Sequence, residues 1–282
     1  MMSRGLFRNA ALLLGMAFLY VPILSMIFFS FNNSRLVTVW DQANSPTLKW
    51  YRLLLQNEQI LGAAWLSIKI AVMTASGAVV LGTLSGLVLA RFGPFRGRAL
   101  LSGMTTAPLV MPEVITGLSM LLLFVALEQL TGWPQGRGVS TITIAHITFA
   151  MAYVTVVVQS RLAGFDDSLE EAALDLGARP AKVFWRITLP LILPAIVSGW
   201  LLAFTLSWDD VVISQFVAGP GSTTLPMVIF SKVRLGVSPD VNALATIMVL
   251  IVGAGVVLST LYMKRQDRRR EQEIQLARAG DK

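Results

Sequence analysis

The chain has 282 residues, 55% of them hydrophobic, with a mean hydropathy of +0.67, a balance far from that of a water-soluble domain. A net charge of +7 and a pI near 10.1 would fit a nucleic-acid binder only if the basic residues shared a solvated folded face; here they lie between apolar runs and in a C-terminal tail. Cysteine is absent, which excludes disulfides and thiolate metal sites.

The first apolar run, residues 10–31, carries no charge. It is long enough to span, since about 20 helical residues at about 1.5 Å each cross the roughly 30 Å hydrocarbon core. Its length, and the absence of a small-x-small site in the following FFSFNN, argue against a cleaved signal peptide. Residues 32–60 are polar with Trp40, Trp50 and Tyr51, and read as an outer loop with a short surface helix around Leu53 to Leu55. Further spans are expected at about 62–90, 99–127, 140–160, 193–217 and 241–263, six in all, giving an all-α polytopic membrane protein. Pro108 and Pro112 predict a kink or break in the third.

With the N-terminus inside, inner segments hold sixteen of the 23 Lys and Arg and outer loops six, with Lys69 inside span two. The positive-inside rule therefore places residues 1–9, the 161–192 loop and the 264–282 tail in the cytoplasm. The tail reads as an orientation signal ahead of an anionic-lipid binder.

The 161–192 loop contains SLEEAALDLGARPAKVFWRITLP, residues 168–190, a polar interval between strongly apolar segments. Ser168 and Glu171 form a capping-box pattern, and Leu169, Ala172, Ala173 and Leu176 make a narrow apolar stripe opposite Glu170, Glu171 and Asp175. Gly177 suits a left-handed helix end, and Pro180 the first position of a second, basic helix. By periodicity alone this is a helical hairpin lying against the membrane.

Four charges fall inside apolar spans: Lys69, Glu113, Asp209 and Asp210. A carboxylate at a membrane-helix centre costs roughly 2.5–3.5 kcal/mol on insertion scales, so such groups mark a pathway or a partner. At 1.5 Å per residue, Glu113 lies about 21 Å and Asp209 about 24 Å from the cytoplasmic edge, the same outer-half level. Two readings stand. The carboxylates line a path for an amine cation, with Trp208 as a cation–π face, or Lys69 pairs with Glu113 while the aspartates cap a break. Both aspartates can face one pore only if the helix is broken there, because adjacent helical residues diverge by about 100°. His146, the sole histidine, is expected to pack or hydrogen-bond within span four. The chain contains no G-x-x-x-x-G-K-S/T phosphate cradle, HExxH pair or G-x-S-x-G elbow, so enzymatic activity is not expected.

Glu171-Ala172-Ala173, Gly177 and Ile187-x-Leu189-Pro190 resemble the EAA loop of ABC importer permeases, the membrane subunits of binding-protein-dependent uptake systems. SFNNSRLVTVW, APLVMPEVITGLSMLLLFVAL, SGWLLAFTLSWDDVVISQFVAGPGSTTLPM and SPDVNALATI resemble the polyamine branch of that family. The resemblance implies a type I ABC importer permease (MetI-like) fold in a bacterial inner membrane, with the EAA loop as the coupling helix. It also implies a homologous but distinct second permease, two copies of a cytoplasmic ABC ATPase carrying the ATP-Mg, and a periplasmic polyamine-binding protein for putrescine or spermidine. No cofactor is expected on this chain. Arg179 departs from the small hydroxyl residue many relatives carry there, which weakens a cap for the second loop helix. Ferric ion or aminophosphonate is the alternative cargo, and an ion-coupled secondary transporter or a non-transporting scaffold the alternative class.

Overall fold

The computed structural model describes residues 2–34, 39–164, 168–236, 239–254, 257, 261 and 264. Among them the only regular structure is helix. Five helices are long and apolar enough to cross a bilayer: Phe7–Phe29, Glu58–Arg91, Glu113–Thr131, Val139–Ala163 and Pro180–Trp208. A shorter apolar helix runs Pro239–Ala254, and the expected continuation of a sixth span to 263 lies largely outside the described residues.

The chain divides into two compact units, Met1–Glu58 with Lys232–Lys282, and Gln59–Ser231. The first contains α1 (Met2–Phe29) and α2 (Lys49–Leu55), the short helix expected in the first loop. Buried Asn32 organises that loop: its amide donates to the Val39 carbonyl at 2.7 Å, and its Oδ1 accepts from the Asp41 N–H at 2.9 Å. The aromatic residues read as interfacial anchors are engaged here. Trp50 donates to the Asn32 carbonyl at 2.7 Å, the Tyr51 and Ser30 hydroxyls lie 2.6 Å apart, and Trp40 stacks on Phe28.

The second unit begins with α3 (Glu58–Arg91) and then meets the span that the prolines interrupt. Pro112 pushes Met111 into an extended conformation (ψ 137°), so α4 (Arg98–Val110) stops and α5 (Glu113–Thr131) starts afresh. The discontinuity expected from Pro108 and Pro112 is thus at residues 111 and 112. Next come α6 (Val139–Ala163) and α7 (Ser168–Asp175). From Pro180 the chain is continuously helical to Trp208, as α8 (Pro180–Val183), one π-turn (Phe184–Thr188) and α9 (Leu189–Trp208). Span five therefore starts earlier than the expected residue 193. It ends at a break, beyond which α10 (Val212–Val217) and α11 (Leu225–Leu235) follow.

Ala75 and Ala78 of α3, Val154 and Val158 of α6, and Ile192 and Ala203 of α9 form one buried cluster. Ile70, Phe124, Ile142, Phe149, Ile213 and Val217 form another, joining α3, α5, α6 and α10. Lipid tails are as apolar as leucine, so close van der Waals contact is the attraction left between these helices, and small residues permit it. Gly82 is the clearest instance: a Cβ there would lie 2.6 Å from Val154 Cβ and 2.9 Å from the Met151 carbonyl. Gly82→Leu is expected to lower the melting temperature of the detergent-purified chain by several degrees, since overpacking costs about 1–3 kcal/mol. Gly62→Leu on the same helix, where an added Cβ meets nothing within 4 Å, should be near neutral; equal losses would remove this account.

Candidate functional site: a loop helix and a broken span

The interval after α6 folds as the expected helix, stop and helix. Gly177 adopts φ +83°, its N–H donates to the Leu174 carbonyl at 2.8 Å, and the Ala178 N–H donates to the Ala173 carbonyl at 3.0 Å. Together these bonds make the Schellman end of α7, satisfying carbonyls that the helix leaves open. Pro180 opens α8 after Arg179, whose side chain makes no capping bond.

The faces of α7 differ from the expected stripe. Glu170 points inward, its Oε1 accepting from the Thr188 hydroxyl at 2.6 Å and from Arg91 Nη2 at 3.4 Å. Ala173 is half-buried beside it, and Leu174 lines a cavity of about 310 Å³ with Leu87, Phe92 and Phe184. Leu169, Glu171, Ala172, Asp175 and Leu176 remain exposed, Leu176 at 89%. Thus α7 contributes no buried residue, and its Glu170 ties it to the end of α3 and to the π-turn. Of the remaining motif residues, Ile187 and Leu189 are half-buried and Pro190 is exposed at the start of α9.

The second constellation lies at the end of α9. Asp210 accepts from the Ser214 N–H at 2.7 Å (Oδ2) and the Ile213 N–H at 3.2 Å (Oδ1), satisfying open donors of α10, and its Oδ2 lies 3.1 Å from His146 Nε2. Asp209 ends α9, its own N–H donating to the Thr205 carbonyl at 3.2 Å, and its side chain is exposed. Trp208 stacks on Phe204, which stacks on Trp200, a ladder at four-residue spacing along α9. The structure therefore separates the two aspartates: Asp210 caps the break, and Asp209 faces out of the packed unit.

Glu113 does not join them in the middle of a helix. It is the first residue of α5, where the N-terminal dipole favours a carboxylate, and it is exposed. Lys69 lies 5.2 Å from the Trp65 ring centroid and, among the described residues, forms no ion pair with Glu113. No cluster of three or more potential metal ligands occurs among the described residues.

Five helices of membrane-crossing length and apolarity, with a short exposed loop helix between two of them, define a helical membrane protein. Residues 78–272 match the family model described as "Binding-protein-dependent transport system inner membrane component", and the chain belongs to that family. It is 54% identical over 98% of both chains to the putrescine transport system permease protein PotI of Escherichia coli K12. It is 42% identical to the spermidine/putrescine transport system permease protein PotC of Haemophilus influenzae, over 94% of this chain and all of that one.

Among solved structures, a bacterial ABC transporter involved in alginate import matches with a TM-score of 0.69 at 17% identity, covering 91% of this chain and 94% of that one. The MetNI methionine ABC transporter in an inward-facing form matches with a TM-score of 0.58 at 16% identity, covering 75% and 94%. These likenesses establish the type I ABC importer permease fold. The chain is thus the inner-membrane component of a binding-protein-dependent transport system.

Proposed function

We propose that this chain is the permease subunit of a polyamine importer, taking putrescine and/or spermidine across the inner membrane by alternating access. The observation that carries the reading is 54% identity over 98% of both chains to a putrescine transport permease. Its partners are a homologous but distinct permease, two copies of a cytoplasmic ABC ATPase that bind the ATP-Mg, and a periplasmic polyamine-binding protein. Both termini and the 161–192 loop face the cytoplasm, in keeping with the distribution of Lys and Arg.

In this reading α7 is the coupling helix. The exposed Glu171, Ala172 and Leu176 meet the ATPase, Gly177 sets the turn, and Ala173, Ile187, Leu189 and Pro190 join the loop to span five. ATP binding draws the ATPase pair together, α7 transmits the displacement, and the pathway opens outward to the docked binding protein. Hydrolysis restores the inward-facing state. ATP drives this only by binding one state better than the other. Asp209 beside Trp208 offers the cation a carboxylate and an aromatic face, and Glu113 a second carboxylate.

The test is ATPase activity of the reconstituted complex with binding protein loaded with putrescine, spermidine or ferric ion. Stimulation by a polyamine-loaded form is expected. Stimulation by ferric ion alone, or by none of them in an intact complex, removes the polyamine assignment. Glu170→Ala should reduce stimulated ATPase activity several-fold by freeing α7 from Thr188 and Arg91, while Glu170→Gln, which keeps an acceptor for Thr188, should retain most of it. Equal activities in these two variants would show that the Thr188 bond does not orient α7.

A further inference from the structure

His146 sits where the break in span five is made. Its ring is 2% exposed and belongs to α6, yet it contacts both sides of the break. Nδ1 lies 2.7 Å from the hydroxyl of Ser207, in the last turn of α9. Nε2 lies 3.1 Å from Asp210 Oδ2 and 3.2 Å from the hydroxyl of Ser214, in α10. With a proton on Nε2 the ring donates to the Asp210 carboxylate, and Nδ1 shares the second bond with the Ser207 hydroxyl. Farther along, the Thr141 hydroxyl donates to the Val217 carbonyl at 2.7 Å and Arg137 Nη1 to the Phe216 carbonyl at 3.1 Å. Thus α10 is tied to α6 at both ends, and the chain between α9 and α10 has little freedom to turn.

We propose that His146 is a positioning residue for transport, holding Asp210 as the anchor of the break so that, of the two aspartates, only Asp209 is presented to the substrate cation. The proposal rests on the reading of Asp209 as a substrate-path carboxylate. Asp210 already receives two backbone N–H groups and the imidazole, and its side chain is 8% exposed, so it has little left to offer a passing ammonium group. Among the described residues no other side chain bonds the Asp209 carboxylate, which is exposed and one residue away. On an unbroken helix the two would differ only in azimuth. The break lets one carboxylate turn inward to cap α10 and the other outward, and the ring on α6 decides which.

This chain has no cysteine, so an introduced one is its sole thiol, and its modification is followed on this chain within the full reconstituted complex. Modification of Asp209→Cys by a small cationic methanethiosulfonate is expected to be about tenfold faster or more than that of Asp210→Cys, because thiol reactivity follows exposure. Thr205→Cys, one helical turn before Asp209, serves as a reporter that leaves both carboxylates in place. Putrescine should slow its modification, and the protection should vanish with Asp209→Asn and with His146→Leu. It should persist with His146→Gln, whose amide N–H still reaches toward Asp210. Equal rates at positions 209 and 210 would overturn the assignment. Protection lost with Asp209→Asn but kept with His146→Leu would overturn the role of His146 alone. No protection in the reporter, or protection indifferent to Asp209→Asn, would instead defeat the substrate-path reading beneath it.

Discussion

Gly177→Asp is expected to abolish uptake while leaving the chain inserted and assembled with its partner permease. Gly177 sits at φ +83°, closes the Schellman end of α7 and has nothing within 4 Å of an added Cβ. A non-glycine residue there costs about 1–2 kcal/mol of backbone strain, and aspartate is among the residues that tolerate this region best. The chain therefore survives the substitution. What changes is the surface of a helix that buries nothing of its own: a carboxylate appears beside Leu176 and Ala172, on the side proposed to meet the ATPase. Desolvating an unpaired charge at an interface is costly enough to reduce complex formation by about a hundredfold. Co-purification of the ATPase with the permease pair, and uptake into proteoliposomes, measure this directly. Wild-type uptake by Gly177→Asp would end the coupling assignment, whereas loss of the chain from the membrane would show that strain, not docking, is at issue. Gly177→Ala separates the two, adding strain without charge.

Asp209→Asn is expected to lower polyamine uptake at least about tenfold without disturbing assembly. A charge-assisted hydrogen bond contributes about 1.5–3 kcal/mol, and each 1.4 kcal/mol is a factor of about ten. Asparagine keeps the size of the side chain and removes the charge, and among the described residues no other side chain bonds the Asp209 carboxylate. Asp210→Asn should behave differently. It replaces the carboxylate that holds His146 and two N–H groups of α10, so its main effect should be a lower melting temperature of the assembled complex. Uptake that is equally reduced, with equal melting temperatures, in both variants would contradict the separate tasks of the two aspartates.

Much of this organisation is legible locally. The break at Pro112, the left-handed Gly177, the helix start at Pro180 and the α2 helix each depend on a few consecutive residues, and each stands where the sequence places it. The start of span five is not local in this way, because the helix continues through the π-turn at Phe184–Thr188 and the proline-bearing stretch without interruption. The inward face of α7 departs from its apolar stripe for a related reason. Periodicity sorts apolar from polar residues, and Glu170 is polar yet faces inward, because Arg91 and Thr188 are there to meet it.

The sequence by itself thus determined the class of the protein, the helical nature of its apolar runs and the turn within its polar loop, since a bilayer demands long apolar helices and turn chemistry is local. Only the tertiary structure decided which carboxylates are spoken for. Asp209 and Asp210 are chemically identical neighbours, and what distinguishes them is an imidazole 64 residues earlier, on another helix. Glu170 is likewise committed by an arginine 79 residues earlier. Hydrogen-bond partnership at such separation is set by how helices pack, which no local pattern of residues encodes.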